Sequence, residues 1–248
     1  MGINLKVFFN FWKVFPSVCK DYRKLKKQKG KSADFIFGNS YIITNDKHTF
    51  SGTMSGHYFH QDLLVARRIY ENNPKKHVDI GSRQSGFVAH VAVFREIEIF
   101  DIRPQENPVR NVVFKQADLT LLPPGMENYC DSISSLHAIE HFGLGRYNDP
   151  IDYWGHLKAL DNIYKMLQIG GRFYFSTPIG RQRIEFNAHR VFNLSYLLAL
   201  FKGKFVVEAF SYVDDKGNLH ENVTLDEQYV MNNFNCHYGC GIFELKKI

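Results

Sequence analysis

The chain has 248 residues, of which 44% are hydrophobic, 15% aromatic and 23% charged. This composition excludes a disordered or fibrous chain, because it supplies enough apolar surface for a core. The formal net charge is +6, but residues 1–31 hold nine Lys and Arg against one Asp, so they carry +8 and the rest of the chain carries −2. A basic segment on a slightly acidic body argues against a nucleic-acid partner.

The cysteine content and the hydropathy limit which cellular compartment and which metal sites the sequence allows. Four cysteines are too few and too scattered for a small disulfide-rich protein, so we expect a reducing, cytoplasmic location. Cys236 and Cys240 flank His237, but no second ligand pair accompanies them, so ordinary packing is favoured and no metal site is predicted. No apolar run reaches the roughly 20 residues of a membrane-spanning helix, and no signal peptide is expected.

Residues 1–31 predict a basic amphipathic helix, and Pro16 is expected to kink or divide it. Two interpretations stay open. The helix lies at an anionic membrane and holds the protein peripherally at its inner face, or it packs on the body of the protein or in the seam of a homodimer. Residues 32–56 are predicted to form a linker or cap.

From residue 57 onward, helical and strand patterns alternate. Helices are predicted over Tyr58–Tyr70, Phe87–Phe94, Tyr153–Leu167 and Leu194–Phe201. Strands are predicted over His77–Gly81, Glu96–Asp101, Asn111–Lys115, Asp131–Leu136, Arg172–Thr177, Phe205–Val213 and Tyr238–Leu245. Gly170-Gly171 is expected to close the third of these helices, and Pro178 to stop the fifth strand. Strands separated by helices indicate a parallel α/β sheet, and the last two strands are expected to pair antiparallel.

The ends of the predicted strands carry the residues that suit a nucleoside ligand, since ligands of such sheets bind beyond the strands' carboxyl ends. The first strand ends in Asp79-Ile80-Gly81-Ser82 and leads through Gly86 into a helix, where glycine and free N–H groups admit a ligand closely. The turn lacks a G-x-G start, which disfavours NAD. Asp101 is placed to accept both ribose hydroxyls, and Asp118 with Leu119 to hold an adenine amino group and ring face.

These segments resemble the class I S-adenosylmethionine-dependent methyltransferases, collinearly over residues 57–247. The resemblance is carried by Val78-Asp79-Ile80-Gly81-Ser82, Ile99-Phe100-Asp101-Ile102-Arg103, Gln116-Ala117-Asp118-Leu119 and Gly170-Gly171-Arg172-Phe173-Tyr174-Phe175. It implies a methyltransferase domain over residues 57–248 with a Rossmann-like seven-stranded sheet, mostly parallel, whose last strand is antiparallel. It also implies S-adenosylmethionine as cofactor, held by Asp79, Gly81, Ser82, Gly86, Asp101, Ile102, Asp118, Leu119 and His137. One position departs from the pattern, because Ser82 stands where the family usually has glycine.

A narrower resemblance is to a methyltransferase-like family catalogued as a domain of unknown function, whose bacterial members often accompany surface-polysaccharide synthesis. It is carried by residues 56–62, 139–147 with 149–151, 186–192 and 238–243. It implies O-methylation of a sugar, sugar nucleotide or lipid-linked glycan, and a phosphorylated acceptor is one option. A catalytically inactive methyltransferase-fold module that binds within a glycan assembly complex is the alternative, favoured by Ser82 and Arg83 in the cofactor loop.

The catalytic residues are predicted around the end of the fourth strand and the loop after the fifth. An alcohol must lose its proton, and a histidine with a pKa near neutrality suits that step, so His141 is the favoured base, followed by His189. Glu140 is a third candidate, placed to reach the acceptor. An alternative gives Glu140, Asp149 and Asp152 a divalent ion that acidifies a sugar diol.

The same segment, His137-x-x-Glu140-His141, spells the inverted zinc-protease motif. That motif needs both histidines on one helix face. Here a predicted strand leads directly into the motif, and Gly143 breaks any helix soon after it, so the protease interpretation is disfavoured.

Overall fold

The computed structural model describes residues 5–43, 46–47, 50–122 and 124–248, without the side chains of residues 5–10. The chain divides into two compact units, Met1–Thr53 and Met54–Ile248. The predicted division at residues 31 and 56 stays a prediction; residues 1–4 of its helix and 44–45 and 48–49 of its linker lie outside the described residues.

The first unit contains one long helix, α1 (Leu5–Lys29), which continues through Pro16 rather than dividing there. A proline removes one main-chain hydrogen bond, and a helix of 25 residues retains enough others to continue. Its last turn carries Lys26, Lys27 and Lys29, whose charges favour the carbonyl end of the helix dipole. In the part of the chain that the structure describes, no helix is both long and apolar enough to cross a bilayer.

The described residues of the second unit form ten strands. They are β1 (His77–Ile80), β2 (Ile97–Asp101), β3 (Val112–Gln116), β4 (Cys130–Leu136), β5 (Leu167–Ile179), β6 (Arg183–Glu185), β7 (His189–Val191), β8 (Phe205–Val213), β9 (Leu219–His220) and β10 (Gly239–Lys247). Eight of them form one sheet in the order β3-β2-β1-β4-β5-β10-β8-β9, while β6 and β7 pair separately. Strands β1 to β5 pair in parallel, and β10 is antiparallel to both β5 and β8.

The strand order places a reversal of winding between β1 and β4. The chain first builds outward from β1 through β2 to β3, and then crosses to β4 on the other side of β1. The carboxyl ends of β1 to β5 therefore meet at one edge, where ligands of such sheets bind. Because β10 is antiparallel, it contributes its first residues to that edge: Gly239 pairs with Ile179 and Cys240 with Pro178.

Helices cover both faces of the sheet. They are α2 (His57–Asn72), α3 (Ala89–Ala92), α4 (Gly155–Met166), α5 (Leu194–Phe201) and the short α6 (Glu227–Met231). Apolar side chains of α4 and α5 pack with Val78 and Ile80 of β1 in one core cluster. Side chains of α2 and α3 pack with Ile97 and Ile99 of β2 in the other. Strands β1 and β2 are buried along their whole length, as expected for parallel strands covered on both faces.

Several details differ from the sequence-based expectation. Helix α4 ends at Met166, because the buried Leu167 turns to an extended conformation and starts β5, so Gly170-Gly171 lie inside a strand. Pro178 does not stop β5; its carbonyl accepts from the Phe192 N–H (2.9 Å), a contact that needs no proline N–H. The sheet has eight strands rather than seven, since β9 adds two residues at the edge. The predicted helix Phe87–Phe94 is a π-helical turn (Gln84–Val88) followed by α3, and the predicted loop after the fifth strand contains the β6–β7 hairpin. The other predicted elements of this unit are confirmed, with ends shifted by at most two residues.

Candidate active site

Buried residues of the protein hold the turn after β1 in its conformation. Gly81 has φ +69°, which favours glycine, and a Cβ there would make a tight contact of 3.1 Å with the Cβ of Ala138. The buried Asp79 accepts hydrogen bonds from Ser82 N (3.0 Å), Ser82 Oγ (2.5 Å) and Ser134 Oγ (2.5 Å). Burial raises the pKa of Asp79 to about 6. Asp79 therefore orders the turn, and it does not line the adjoining cavities.

Two further residues of the predicted cofactor set, Ser82 and Gly86, are in close contact with other parts of the protein. The Ser82 hydroxyl accepts from Leu136 N (2.9 Å) and is buried, so this departure from glycine ties β1 to β4. A Cβ at Gly86 would collide with the carboxylate of Asp62 on α2. Glycine at position 86 thus allows α2 to pack on the turn.

A small cavity of about 60 Å³ lies beyond the carboxyl ends of β1 to β4. It brings together seven of the predicted residues: Gly81, Asp101, Ile102, Asp118, Leu119, His137 and His141. A more open groove adjoins it and shares Gly81, Asp101 and His137 with it, adding Tyr58 and Arg83. The switch point of the sheet therefore carries the concave site that the strand ends predict.

Asp101 lines the cavity but is already paired. Its Oδ1 accepts from Arg103 N (2.9 Å) and Arg103 Nε (3.0 Å), and its Oδ2 accepts from Arg103 Nη2 (2.6 Å). The Arg103 side chain is 49% exposed and lies over the ring of Tyr147, 4.4 Å from its centroid. No sequence pattern predicted this pair, which occupies the carboxylate expected to hold a ribose.

The end of β3 forms a local turn. Asp118 Oδ1 accepts from Thr120 N (2.9 Å) and Thr120 Oγ1 (2.7 Å). Leu119, which follows it, is buried and forms part of the cavity wall. The turn thus contributes one acidic and one apolar residue to the cavity wall.

His141 is held in a defined tautomer. Its Nδ1 donates to the carbonyl of Ala188 (2.6 Å), so the lone pair is on Nε2. Burial lowers the pKa of His141. His189, on β7, has its ring centroid 6.3 Å from that of His141, and burial lowers its pKa as well. The structure thus places the two candidate bases close together, with only His141 lining the cavity.

Glu140 lies behind His137 and does not line the cavity. It is buried and accepts from His137 Nδ1 (2.8 Å), with Thr177 Oγ1 3.5 Å from its other oxygen. Burial alone would raise the pKa of Glu140, but the charge of His137 and its hydrogen bond lower it below the usual value. His141 therefore lines the cavity, and Glu140 does not.

The two metal hypotheses drawn from this segment do not match the geometry. Only Ile139–His141 is helical, as a single 3₁₀ turn, so His137 and His141 do not share a helix face. Asp149 accepts from Gly143 N (2.8 Å) and Asp152 pairs with Lys158. Among the described residues, Glu140, Asp149 and Asp152 form no common ligand group.

A different group of ligand-type side chains does form, and the sequence did not predict it. His57, His137 and Cys240 each offer one atom, and these atoms lie within 4.8 Å of one another. The three positions are widely separated in sequence, and only the antiparallel insertion of β10 brings the third to the first two. Cys236 and His237 are not members of the group.

The fold defines the structural class. The largely parallel sheet with the antiparallel β10 matches the Rossmann-like methyltransferase fold. The chain belongs to the family described as "Caenorhabditis protein of unknown function, DUF268", whose model matches residues 115–238, half of the chain. No curated protein matches the chain.

Solved structures agree on the fold. The N-methyltransferase NodS from Bradyrhizobium japonicum, in complex with S-adenosylhomocysteine, is 12% identical over 77% of this chain and 88% of its own, with a TM-score of 0.51. The 1,6-didemethyltoxoflavin-N1-methyltransferase from Burkholderia thailandensis, with S-adenosylhomocysteine, is 12% identical over 100% of this chain and 91% of its own, with a TM-score of 0.52. The cyclase SpnF is 12% identical over 76% of this chain and 80% of its own, with a TM-score of 0.52.

Proposed function

We propose that this chain is an S-adenosylmethionine-dependent methyltransferase that O-methylates a sugar, sugar nucleotide or lipid-linked glycan. The observation that carries the proposal is one cavity that joins the glycine turn, two strand-end acids and a histidine with an available ring nitrogen. The solved neighbours support a cofactor of this kind, because two of them hold S-adenosylhomocysteine. The presence of a cyclase on the same fold means that fold alone does not decide the reaction.

The cavity residues suit the parts of S-adenosylmethionine. Asp101 would hold the ribose hydroxyls, Asp118 the adenine amino group, and Ile102 with Leu119 the faces of the ring. Arg103 would have to leave Asp101, and its half-exposed side chain has solvent to move into. When bound, the cofactor supplies a methyl group activated by a positively charged sulfur.

His141 supplies the general base in this proposal. Its Nδ1–H is held by the Ala188 carbonyl, so Nε2 is the atom that takes the hydroxyl proton of the acceptor. Because burial lowers its pKa, the imidazole is neutral at pH 7 and ready to accept that proton. His189 lies beside it on the β6–β7 hairpin, where it would position the acceptor.

The charge of the acceptor follows from the arginines nearby. Arg190 is buried and donates to the carbonyls of Phe142 (2.6 Å) and Tyr153 (3.0 Å), so it holds the loops together. Arg183 pairs with Glu185 (2.6 Å). Arg146 donates to the Ala188 carbonyl (3.0 Å) beside His141, and it is the arginine we propose for a phosphorylated acceptor.

The test is transfer of a labelled methyl group from S-adenosylmethionine to sugar nucleotides and to lipid-linked glycan fractions. We expect label in at least one acceptor, and His141→Gln to lower the rate about 10²- to 10⁴-fold with unchanged cofactor affinity. His90→Gln, which changes an exposed histidine on α3, is the matched control and should leave the rate unchanged. No label in any acceptor, or an undiminished rate in His141→Gln, would contradict the proposal.

A specific observation also favours the second candidate, an inactive methyltransferase-fold binding module. Arg103 bonds both oxygens of Asp101, which leaves the ribose position closed in this conformation. A module of this kind would assemble with its glycan machinery and bind no S-adenosylmethionine. Calorimetry with the cofactor therefore separates the two candidates.

We further propose that residues 1–31 hold a cytoplasmic protein at the inner face of an anionic membrane. Their net charge of +8 on a helix with aromatic residues supports surface binding, in which each basic residue contributes about 1 kcal/mol. Full-length protein should float with phosphatidylglycerol vesicles and not with phosphatidylcholine vesicles, and a chain lacking residues 1–31 should float with neither. Equal flotation of both chains would contradict this, and loss of a dimer on deletion would favour the helix as a dimer seam.

A further inference from the structure

The group formed by His57, His137 and Cys240 is assembled from three distant segments. His57 is the first residue of α2, His137 follows the last residue of β4, and Cys240 is the second residue of β10. The two imidazole rings are parallel, with centroids 5.1 Å apart. One ligand atom from each of the three residues lies within 4.8 Å of the other two.

His137 has an orientation that a metal ligand requires. Its Nδ1 donates to the buried carboxylate of Glu140 (2.8 Å), which fixes the ring and the tautomer. Its Nε2 is fully buried and has no hydrogen-bond partner within the described part of the chain. A histidine that gives one nitrogen to a carboxylate and the other to an ion is the usual arrangement around bound metals.

The position of His137 also costs free energy. An unsatisfied buried polar atom costs about 1–3 kcal/mol. The residue has φ +50°, a left-handed conformation that costs a non-glycine residue about 1–3 kcal/mol. A bound ion at Nε2 would remove the cost of the unsatisfied nitrogen. It would also explain why His137 is held in the left-handed conformation.

Cys240 completes the group with a thiol. The residue is fully buried, and its Sγ lies 3.6 Å from Oε1 of Gln61. Rotation of that amide would present its N–H groups to a thiolate instead, since the oxygen and nitrogen exchange places. The rings of Tyr58 and Tyr238 enclose the two histidines, with centroids 5.2 Å from His137 and 5.4 Å from His57 respectively.

We propose that His57, His137 and Cys240 bind a zinc ion. Two imidazoles and one thiolate suit Zn²⁺ and not Mg²⁺ or Ca²⁺, which take oxygen ligands. Tetrahedral zinc sets its ligand atoms roughly 3.3–3.6 Å apart, so these three atoms would draw together by up to about 1.5 Å.

A site with three protein ligands leaves a fourth position, as catalytic zinc sites do. His137 is also part of the cavity wall, so the proposed site adjoins the cavity. The site goes beyond the proposed methyl transfer and does not depend on it.

The chain offers a matched pair of variants. Cys240 belongs to the group, whereas Cys236 is also buried, lies four positions earlier in the sequence and is outside the group. Full-length wild type, Cys240→Ser and Cys236→Ser would be expressed with zinc, gel-filtered and analysed for metal by plasma mass spectrometry. We expect about one zinc per chain in wild type and Cys236→Ser, and less than about one fifth of that in Cys240→Ser.

Cobalt provides a second readout. Wild type stripped of zinc and titrated with Co²⁺ should develop a thiolate-to-cobalt charge-transfer band, which Mg²⁺ does not produce and which Cys240→Ser lacks. If Cys240→Ser does not fold, the half-buried His57→Gln takes its place, and its zinc content should fall in the same way. Wild type that neither carries zinc nor develops the band, or a folded Cys240→Ser or His57→Gln with full zinc content, would overturn the proposal.

Discussion

Two polar regions lie at the carboxyl edge of the sheet, and they satisfy their polar atoms differently. At the ends of β2 and β3, Asp101 and Asp118 are bonded by residues two positions away, Arg103 and Thr120. At the end of β4, Nε2 of His137 is buried without a partner in the described chain. The first region can exchange the half-exposed Arg103 for a ligand, whereas the second has a buried nitrogen without a hydrogen-bond partner among the described residues. This difference favours an exchangeable organic cofactor in the first region and a retained ion in the second.

The largest effect is expected where the two regions touch. Gly81→Ala combines a positive φ with a Cβ 3.1 Å from Ala138, and should lower the free energy of unfolding by about 2–3 kcal/mol. Gly125→Ala is the control, since it has φ +74° and open space around its Cβ. This control should lose only the free energy that a positive φ costs alanine, about 1–2 kcal/mol. Both variants would be compared with wild type by urea unfolding. Equal losses in the two variants would show that the approach to Ala138 costs nothing.

The buried Asp79 behind the first region predicts a pH effect. Its pKa is about 6 in the folded protein against 3.8 for the ordinary group, so its contribution to stability is full below pH 3.8 and is lost as pH rises through 6. Wild type should therefore lose about 1 kcal/mol relative to Asp79→Asn between pH 5 and pH 7.

The difference between the two chains is the quantity to measure, by urea unfolding at both pH values. Histidines whose pKa burial lowers, such as His57 at about 4, act in the opposite direction in both chains. A wild type and variant whose stabilities stay parallel from pH 5 to pH 7 would contradict the raised pKa of Asp79.

The smallest effect tests whether Arg103 is a replaceable partner. Arg103→Ala frees the carboxylate of Asp101, so the affinity for S-adenosylmethionine should rise about threefold to tenfold, near 1 kcal/mol. Arg110→Ala, which removes an exposed arginine just before β3, should leave the affinity unchanged. Weaker binding by Arg103→Ala would mean that the guanidinium contacts the ligand and does not compete with it.

The first region could be predicted from sequence, and the second could not. Asp101, Asp118 and Gly81 each follow a run of strand-forming residues, so the alternation of elements alone carries them to one edge. The group at His57, His137 and Cys240 depends on where β10 enters the sheet, which no local pattern records. Pairings within the first region also escaped prediction, because the spacing of Arg103 and Asp101 does not reveal that the two side chains meet.

The difference between local signals and long-range pairing also explains where the predicted fold was wrong. Gly170-Gly171 and Pro178 carry strong local signals for ending a helix and a strand, yet β5 runs past both. Pro178 pairs with Cys240 of β10, and Gly170-Gly171 lie in the register shift between Leu167 and Arg172, which pair with Cys130 and Ser132 of β4. Long-range pairing on both sides of these residues outweighs local preference. The role of Ser82 was hidden likewise, since its hydroxyl bonds to β4 across 54 residues of sequence.

The cavity at the switch point is central to the proposed function, which requires it to bind S-adenosylmethionine through Asp101. Isothermal titration calorimetry of the full chain tests this directly, and we expect a dissociation constant of about 1–100 µM, in the usual range for enzyme substrates. Asp101→Ala should weaken binding at least about tenfold, the effect of losing a hydrogen bond to a charged group. Glu96→Ala, which removes an exposed acid just before β2, should bind like wild type. Absence of binding by wild type, or equal binding by Asp101→Ala, would contradict the proposed role of the cavity.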